Sequence, residues 1–188
     1  GVVDVATNYF GVSVSGGRLS RLAADLVRWA PMGEAGSGTI LTGLAAQLKA
    51  QAEALGEFLA PHLEQDDRAR IRASADLDDI DLSRERLVAS LEGSALSMDE
   101  SLSAFADKNA VYADGLGILR RAEDLTEEVR FVLDKGIRDP RFVAFCEDNL
   151  RGFSVGAAPI DVAAARNEAL WRDGRPVVLT SATLSVGG

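Results

Sequence analysis

Three long stretches of this sequence carry apolar residues at alternating steps of three and four positions. They cover residues 40–63, 83–108 and 111–133, and the last contains Ile118, Ala122, Leu125, Val129 and Val132. This spacing puts the apolar side chains on one face of an α-helix. Helices with such stripes bury them by packing against one another at shallow angles. The sequence therefore predicts a mainly α protein built on a helical bundle. Gly93 is a candidate interruption of the helix predicted over residues 83–108.

Shorter patterns flank the bundle. Residues 18–29 form a further amphipathic helix that ends before Pro31, and residues 65–82 are polar, which favours a solvated connection. Residues 11–15 alternate apolar and polar side chains, as a half-exposed strand does. Residues 141–147 and 152–157 are rich in aromatic and β-branched residues on either side of a turn at 148–151. We expect these three runs to form a small antiparallel β element at the base of the bundle.

Composition limits the functions open to the chain. Its 188 residues include 20 Lys and Arg against 29 Asp and Glu, a net charge of −9. Because phosphate contacts require local positive potential, we expect the chain alone to bind nucleic acid weakly. No apolar run approaches the ~20 residues of a membrane span, and we expect no leader peptide because the first residues are not a basic, apolar stretch. We expect a cytoplasmic protein without membrane contact.

Three candidate sites favour structural interpretations. Residues 33–39 have the glycine spacing of a phosphate-binding loop, but Thr39 stands where that loop needs lysine, so we favour a connector ending in a helix cap. His62 is the single histidine and has no second metal ligand at a suitable spacing. Cys146 is the single cysteine. We predict that it is a core residue and not a nucleophile. One cysteine also cannot hold a four-cysteine iron–sulfur cluster in this segment.

The last stretch carries the strongest functional motif. Residues 177–179 are an apolar, β-branched run that predicts a buried strand, and Thr180, Ser181, Ala182 and Thr183 follow it. Hydroxyls and backbone amides at the carboxyl end of such a strand lie where open α/β sheets bind ligands. The pattern alone is equally compatible with a strand that runs into a capped turn.

Residues 177–188 resemble the Ser-Ala-Thr motif of superfamily-two helicases in the form carried by DinG-type helicases, the bacterial relatives of XPD. Residues 4–15 are similar to the sequence that follows the Asp-Glu-Ala-His (Walker-B) box in that family, and residues 158–162 to the segment that leads into the Ser-Ala-Thr strand. The resemblance implies that the chain is the Arch-domain insertion between these two motifs. Thr180, Ser181 and Thr183 match the positions whose hydroxyls couple the nucleotide site to the DNA-binding groove.

The same resemblance implies a division of the chain and of its chemistry. Residues 1–16 would re-enter from the first motor domain, 17–140 form the Arch bundle, 141–174 the hairpin and a short helix at its base, and 175–188 the motor strand. Both ends would lie close together. The full-length parent would hydrolyse ATP with Mg²⁺ and guide single-stranded DNA during 5′-to-3′ unwinding, whereas this segment alone would be catalytically incompetent. The alternative is a helical protein–protein interaction module in which the terminal motif is accidental.

Overall fold

A computed structural model describes residues 11–32, 37–63, 68–71, 77–105, 109–149 and 152–161. Four long helices dominate them: α1 (Gly16–Trp29), α2 (Ser37–Leu59), α3 (Leu77–Ser103) and α4 (Ala110–Arg130). Caps define two of the starts, since Ser15 Oγ accepts the Arg18 backbone N–H at 3.3 Å and Asn109 Oδ1 accepts that of Tyr112 at 3.1 Å. The predicted mainly α fold is confirmed.

Helix α3 differs from its prediction in three respects. It begins at Leu77, six residues early, because Asp78 and Asp79 occupy its first turn, where carboxylates favour the positive end of the helix dipole. It continues through Gly93 without a break. A Cβ at Gly93 would lie 3.0 Å from Leu44 Cδ2, so the glycine allows α2 to approach closely. The helix ends at Ser103, before the predicted residue 108.

The small antiparallel β element is also confirmed. Its four strands are β1 (Val12–Ser15), β2 (Arg68–Arg70), β3 (Phe142–Asn149) and β4 (Gly152–Pro159). Their order in the sheet is β1-β4-β3-β2. The β3–β4 hairpin has the predicted position but longer strands. The prediction that residues 65–82 are only a solvated connection is wrong: β2 pairs along β3, with Ala69 opposite Cys146. A three-residue edge strand has too few positions to show alternation.

Helix α4 continues into a wider helical turn, Phe131–Lys135, and the single-turn α5 (Gly136–Arg138). This end of the helix touches the sheet. A Cβ at Gly136 would lie 2.5 Å from the Ala157 Cβ, so only glycine allows this approach. The rings of Phe131 and Phe142 meet edge to face, with centroids 5.2 Å apart.

One hydrophobic core unites the helices and the sheet, since it runs from Leu26 and Leu91 in the helices to Cys146 and Val155 in the strands. Cys146 is fully buried, as predicted. The Phe153 ring lies against Gly16 of α1 and Gly56 of α2, and a Cβ at either glycine would lie 2.8 Å from the ring. The core includes side chains from both sides of the boundary predicted at residue 140, and that division stays a prediction.

Four buried serines lie on the inner face of α3, among its buried apolar side chains. Ser90, Ser94, Ser97 and Ser101 are all buried. The Ser94 hydroxyl donates to the Ser90 carbonyl and the Ser101 hydroxyl to the Ser97 carbonyl, each at 2.7 Å. Because each of these two hydroxyls is satisfied within its own helix, neighbouring helices can pack closely without leaving a buried polar group unpaired.

Candidate functional site

Arginines gather between α1 and α4. Arg18, Arg21 and Arg28 recur at helical spacing on α1. Arg21 and Arg28 lie on its exposed side, and Arg18 lies at the edge of its buried stripe, one turn from Leu22. Arg121 of α4 joins them. Together with Leu22, Asp124 and Leu125, three of these arginines line a depression of about 100 Å³, which we call the arginine cleft: Arg18, Arg21, Leu22, Arg121, Asp124 and Leu125.

The packing below the arginine cleft holds the two helices in place. Leu22 and Leu125 are buried and form its apolar floor. Trp29 is also buried, and its indole Nε1 donates a hydrogen bond to the Val111 carbonyl at 3.0 Å. This bond ties the end of α1 to the start of α4. The arginines therefore project from a fixed helix pair.

Carboxylates already engage most of these arginines. Arg18 donates through both terminal nitrogens to Glu128, at 2.5 and 3.0 Å. Asp25, which is 8% exposed, accepts from Arg28 at 2.7 Å and from Arg121 at 2.9 Å. These pairs orient the guanidinium groups along the helix pair.

Arg21 differs from the other arginines of the cleft. Among the residues that the structure describes, Arg21 makes no hydrogen bond or ion pair, and its side chain is exposed. Its planar guanidinium is therefore available to a phosphate, which it can bind in a bidentate manner. With the paired residues around the cleft included, four arginines (Arg18, Arg21, Arg28, Arg121) stand against three carboxylates (Asp25, Asp124, Glu128), a local charge of +1 in a chain of −9. An anion is therefore more favourable at the cleft than over the rest of this acidic chain, although a local charge of +1 attracts it only modestly.

The groups with shifted pKa values lie elsewhere and serve structure. A hydrogen bond from Arg138 lowers the pKa of Asp81, and the same bond raises that of Arg138. Arg84 and Asp134 complete this cluster, which joins the start of α3 to the turn after α4. The side chain and then the backbone N–H of Arg141 lower the pKa of Asp139 to about 2. Such shifts belong to surface ion pairs as well as to catalytic groups.

The residues predicted from the terminal motif cannot be placed beside this cleft. Thr180, Ser181 and Thr183 lie outside the described residues, as do the predicted helix after Asp161 and residues 33–36 of the glycine-rich connector. Thr39 lies in α2, and His62 belongs to a short turn after that helix. Within the described ranges, no three His, Cys, Asp or Glu side chains are grouped to hold a metal ion.

Sequence reasoning missed the arginine cleft because it used the net charge of the whole chain. The detectable signal was the helical spacing of Arg18, Arg21 and Arg28 along α1. The contribution of Arg121 had no such signal, since it comes from a helix about a hundred residues later.

Comparison of the chain with protein-family models, with curated proteins and with solved structures gives no match. In the part of the chain that the structure describes, no helix combines the length and the apolar character that crossing a bilayer requires. Function is therefore inferred from the residues and their arrangement.

Proposed function

We propose that this chain is the Arch-type insertion of a DinG-type, ATP-dependent DNA helicase. One observation carries the proposal. Residues 12–15 end one of the segments that resemble the helicase family, and they pair with residues 154–157, directly before the second such segment, residues 158–162: β1 pairs with β4, and Val12 lies opposite Ala157. The described body thus begins and ends on neighbouring strands, as an insertion into another domain requires.

The chemistry of ATP hydrolysis would belong to the motor domains of the full-length parent. Those domains would hold ATP and Mg²⁺, and Thr180, Ser181 and Thr183 would couple the nucleotide site to the DNA groove. The chain alone lacks a phosphate-binding loop with its lysine and a Walker-B carboxylate pair. We expect no DNA-stimulated ATP hydrolysis from it, and we place the parent in the cytoplasm.

The helical body would contribute a contact to single-stranded DNA through the arginine cleft. The arginines of α1 run from Arg18 to Arg28, ten residues or ~15 Å at the rise of an α-helix, long enough to meet successive phosphates. The local charge of only +1 predicts weak binding by the chain alone, with a Kd of ~10⁻⁴ M or weaker at physiological salt. The motor domains would supply the remaining affinity.

Mutation of the coupling motif tests the helicase assignment in the full-length protein that contains this chain. Loss of one neutral hydrogen bond costs ~1 kcal/mol, and a stranded buried partner about 1–3 kcal/mol. Ser181→Ala should therefore keep DNA-dependent ATPase activity within about tenfold while unwinding falls further. Equal losses would assign Ser181 to hydrolysis itself, and unchanged unwinding would contradict the motif assignment.

Charge reversal tests the DNA contact separately. Arg21→Glu should raise the concentration of single-stranded DNA needed for half-maximal ATPase activity and reduce the salt dependence of DNA binding by about one phosphate contact. Arg86→Glu is the matched control, because Arg86 is an exposed arginine of α3 outside the cleft. If both variants behave alike, the cleft is not the contact. A protein–protein interaction module would be unaffected by any of these changes in either assay.

A further inference from the structure

A groove runs between α3 and α4 on the other flank of α4 from the arginine cleft. Its lining, which we call the acidic groove, consists of Glu92, Gly93, Ala95, Leu96, Glu123, Thr126, Glu127 and Arg130. It is a shallow groove, open to solvent, with a volume of about 540 Å³, a size that falls within the range of ligand-binding sites. The two flanks follow from helical spacing, since Glu123 and Glu127 lie on one side of α4 and Arg121 and Asp124 on the other.

The floor of the acidic groove is made of small side chains, with one large apolar side chain at its edge. Gly93, Ala95 and Thr126 keep the floor low. Leu96 is 61% exposed, the most exposed of the large apolar residues that the structure describes. Burying such a side chain against a partner is favourable by the transfer of its surface from water.

The charges around the acidic groove are arranged unevenly. Arg130 pairs with Glu92 and, at 3.2 Å, with Glu127. Glu123 also lines the groove and forms no ion pair with any described residue. Three carboxylates against one arginine leave a local charge of −2. A partner that fits this surface must carry positive charge beside an apolar anchor.

We propose that the acidic groove binds a basic amphipathic helix of a partner protein. A groove between two packed helices accepts a third helix, whose ridge of side chains fills the furrow. An apolar residue of the partner packs on Leu96 and Ala95. Lys or Arg residues one turn away reach Glu123 and the outer oxygens of Glu92 and Glu127. The lining spans about two turns of α4, residues 123–130, and little more than one turn of α3, residues 92–96. The partner therefore contacts it through residues at i, i+3 or i+4 and i+7.

The experiment measures binding of a fluorescently labelled Leu/Lys peptide to the 188-residue chain by anisotropy. The leucines of the peptide recur at helical spacing, and a second peptide has the same composition in scrambled order. We expect the ordered peptide to bind more tightly, and added salt to weaken it. Leu96→Ser and Glu123→Lys should each weaken binding about tenfold or more.

Matched variants separate the acidic groove from the general acidity of the chain. Leu82→Ser removes another exposed leucine of α3, and Glu57→Lys reverses an exposed carboxylate of α2. Neither residue lines the acidic groove, so both variants should bind within about twofold of the original chain.

Three results would overturn the proposal. Equal binding of the two peptides, or equal weakening by Glu57→Lys and Glu123→Lys, would reduce the interaction to non-specific charge attraction. Self-association of the chain that Leu96→Ser abolishes would assign the groove to a second copy. These readouts are independent of DNA binding and of ATP hydrolysis, so they stand apart from the helicase proposal.

Discussion

Replacement of Gly115 by alanine distinguishes helix propensity from packing. Gly115 lies inside α4, where Gly→Ala usually stabilises a protein by about 1 kcal/mol. A Cβ at this position, however, would lie 2.8 Å from Leu102 Cδ2 and 2.9 Å from Trp29 Cε2 and Cζ2. The indole cannot swing aside freely, because its Nε1 is bonded to the Val111 carbonyl.

The same helix contains the control. Gly117 is two residues further on, and a Cβ there meets nothing within 4 Å. Gly117→Ala should therefore stabilise the chain by about 1 kcal/mol. Overpacking costs about 1–3 kcal/mol. The free energy of unfolding of the Gly115→Ala variant should therefore be lower than that of the Gly117→Ala variant by that amount. In a chain of this size each kcal/mol changes the Tm by about 2–4 °C.

Urea unfolding followed by circular dichroism measures both variants. A second comparison locates the clash: in a Leu102→Ala background, which removes the nearest methyl group, the penalty of Gly115→Ala should shrink. Equal stabilisation by the two glycine replacements would contradict the close packing of α4 on Trp29 and Leu102.

Three further predictions concern other parts of the described body. Gly56→Ala should destabilise the chain by about 1 kcal/mol or more, because the new Cβ meets the Phe153 ring, whereas Gly43→Ala, in the same helix and with open space, should stabilise it; urea titrations of both decide this. Asp139→Asn should lower the Tm at neutral pH. The difference in Tm from the original chain should shrink as the pH falls from 3.8 towards 2, because a carboxyl with a lowered pKa stabilises the fold only while it is ionised. A Tm difference that grows on acidification would contradict the ion pair. Ser94→Ala should change the free energy of unfolding by less than about 1 kcal/mol because its hydroxyl is bonded within its own helix, whereas Ser94→Leu should destabilise by about 1–3 kcal/mol through overpacking; chemical unfolding of the pair measures it.

The two flanks of α4 have different chemistry although the helix is continuous. Arg121 and Asp124 border the arginine cleft, and Glu123 and Glu127 border the acidic groove. The face between them is buried, with Ala122 and Val129 in the core. One helix can therefore hold two surfaces of opposite charge at fixed separation, which the proposed DNA contact and the proposed partner contact would both use.

The apolar pattern of the sequence alone determined the helices and most of the sheet. Stripes such as Ile118, Ala122, Leu125 and Val129 are local, and their repeat is set by the helix itself. The hairpin strands are likewise recognisable from their aromatic and β-branched runs. The terminal motif with Thr180, Ser181 and Thr183 is a statement of sequence alone, because it lies outside the described residues.

Tertiary structure decided what depends on neighbours distant in sequence. The strand β2 forms because it pairs with the edge of β3. The helix α3 runs through Gly93, where the absence of a Cβ makes room for the Leu44 side chain. The arginine cleft and the acidic groove each combine side chains from two helices. Periodicity reports which face of one helix is buried, but a surface shared by two helices depends on how they pack, and that is set by side-chain volume across the whole core.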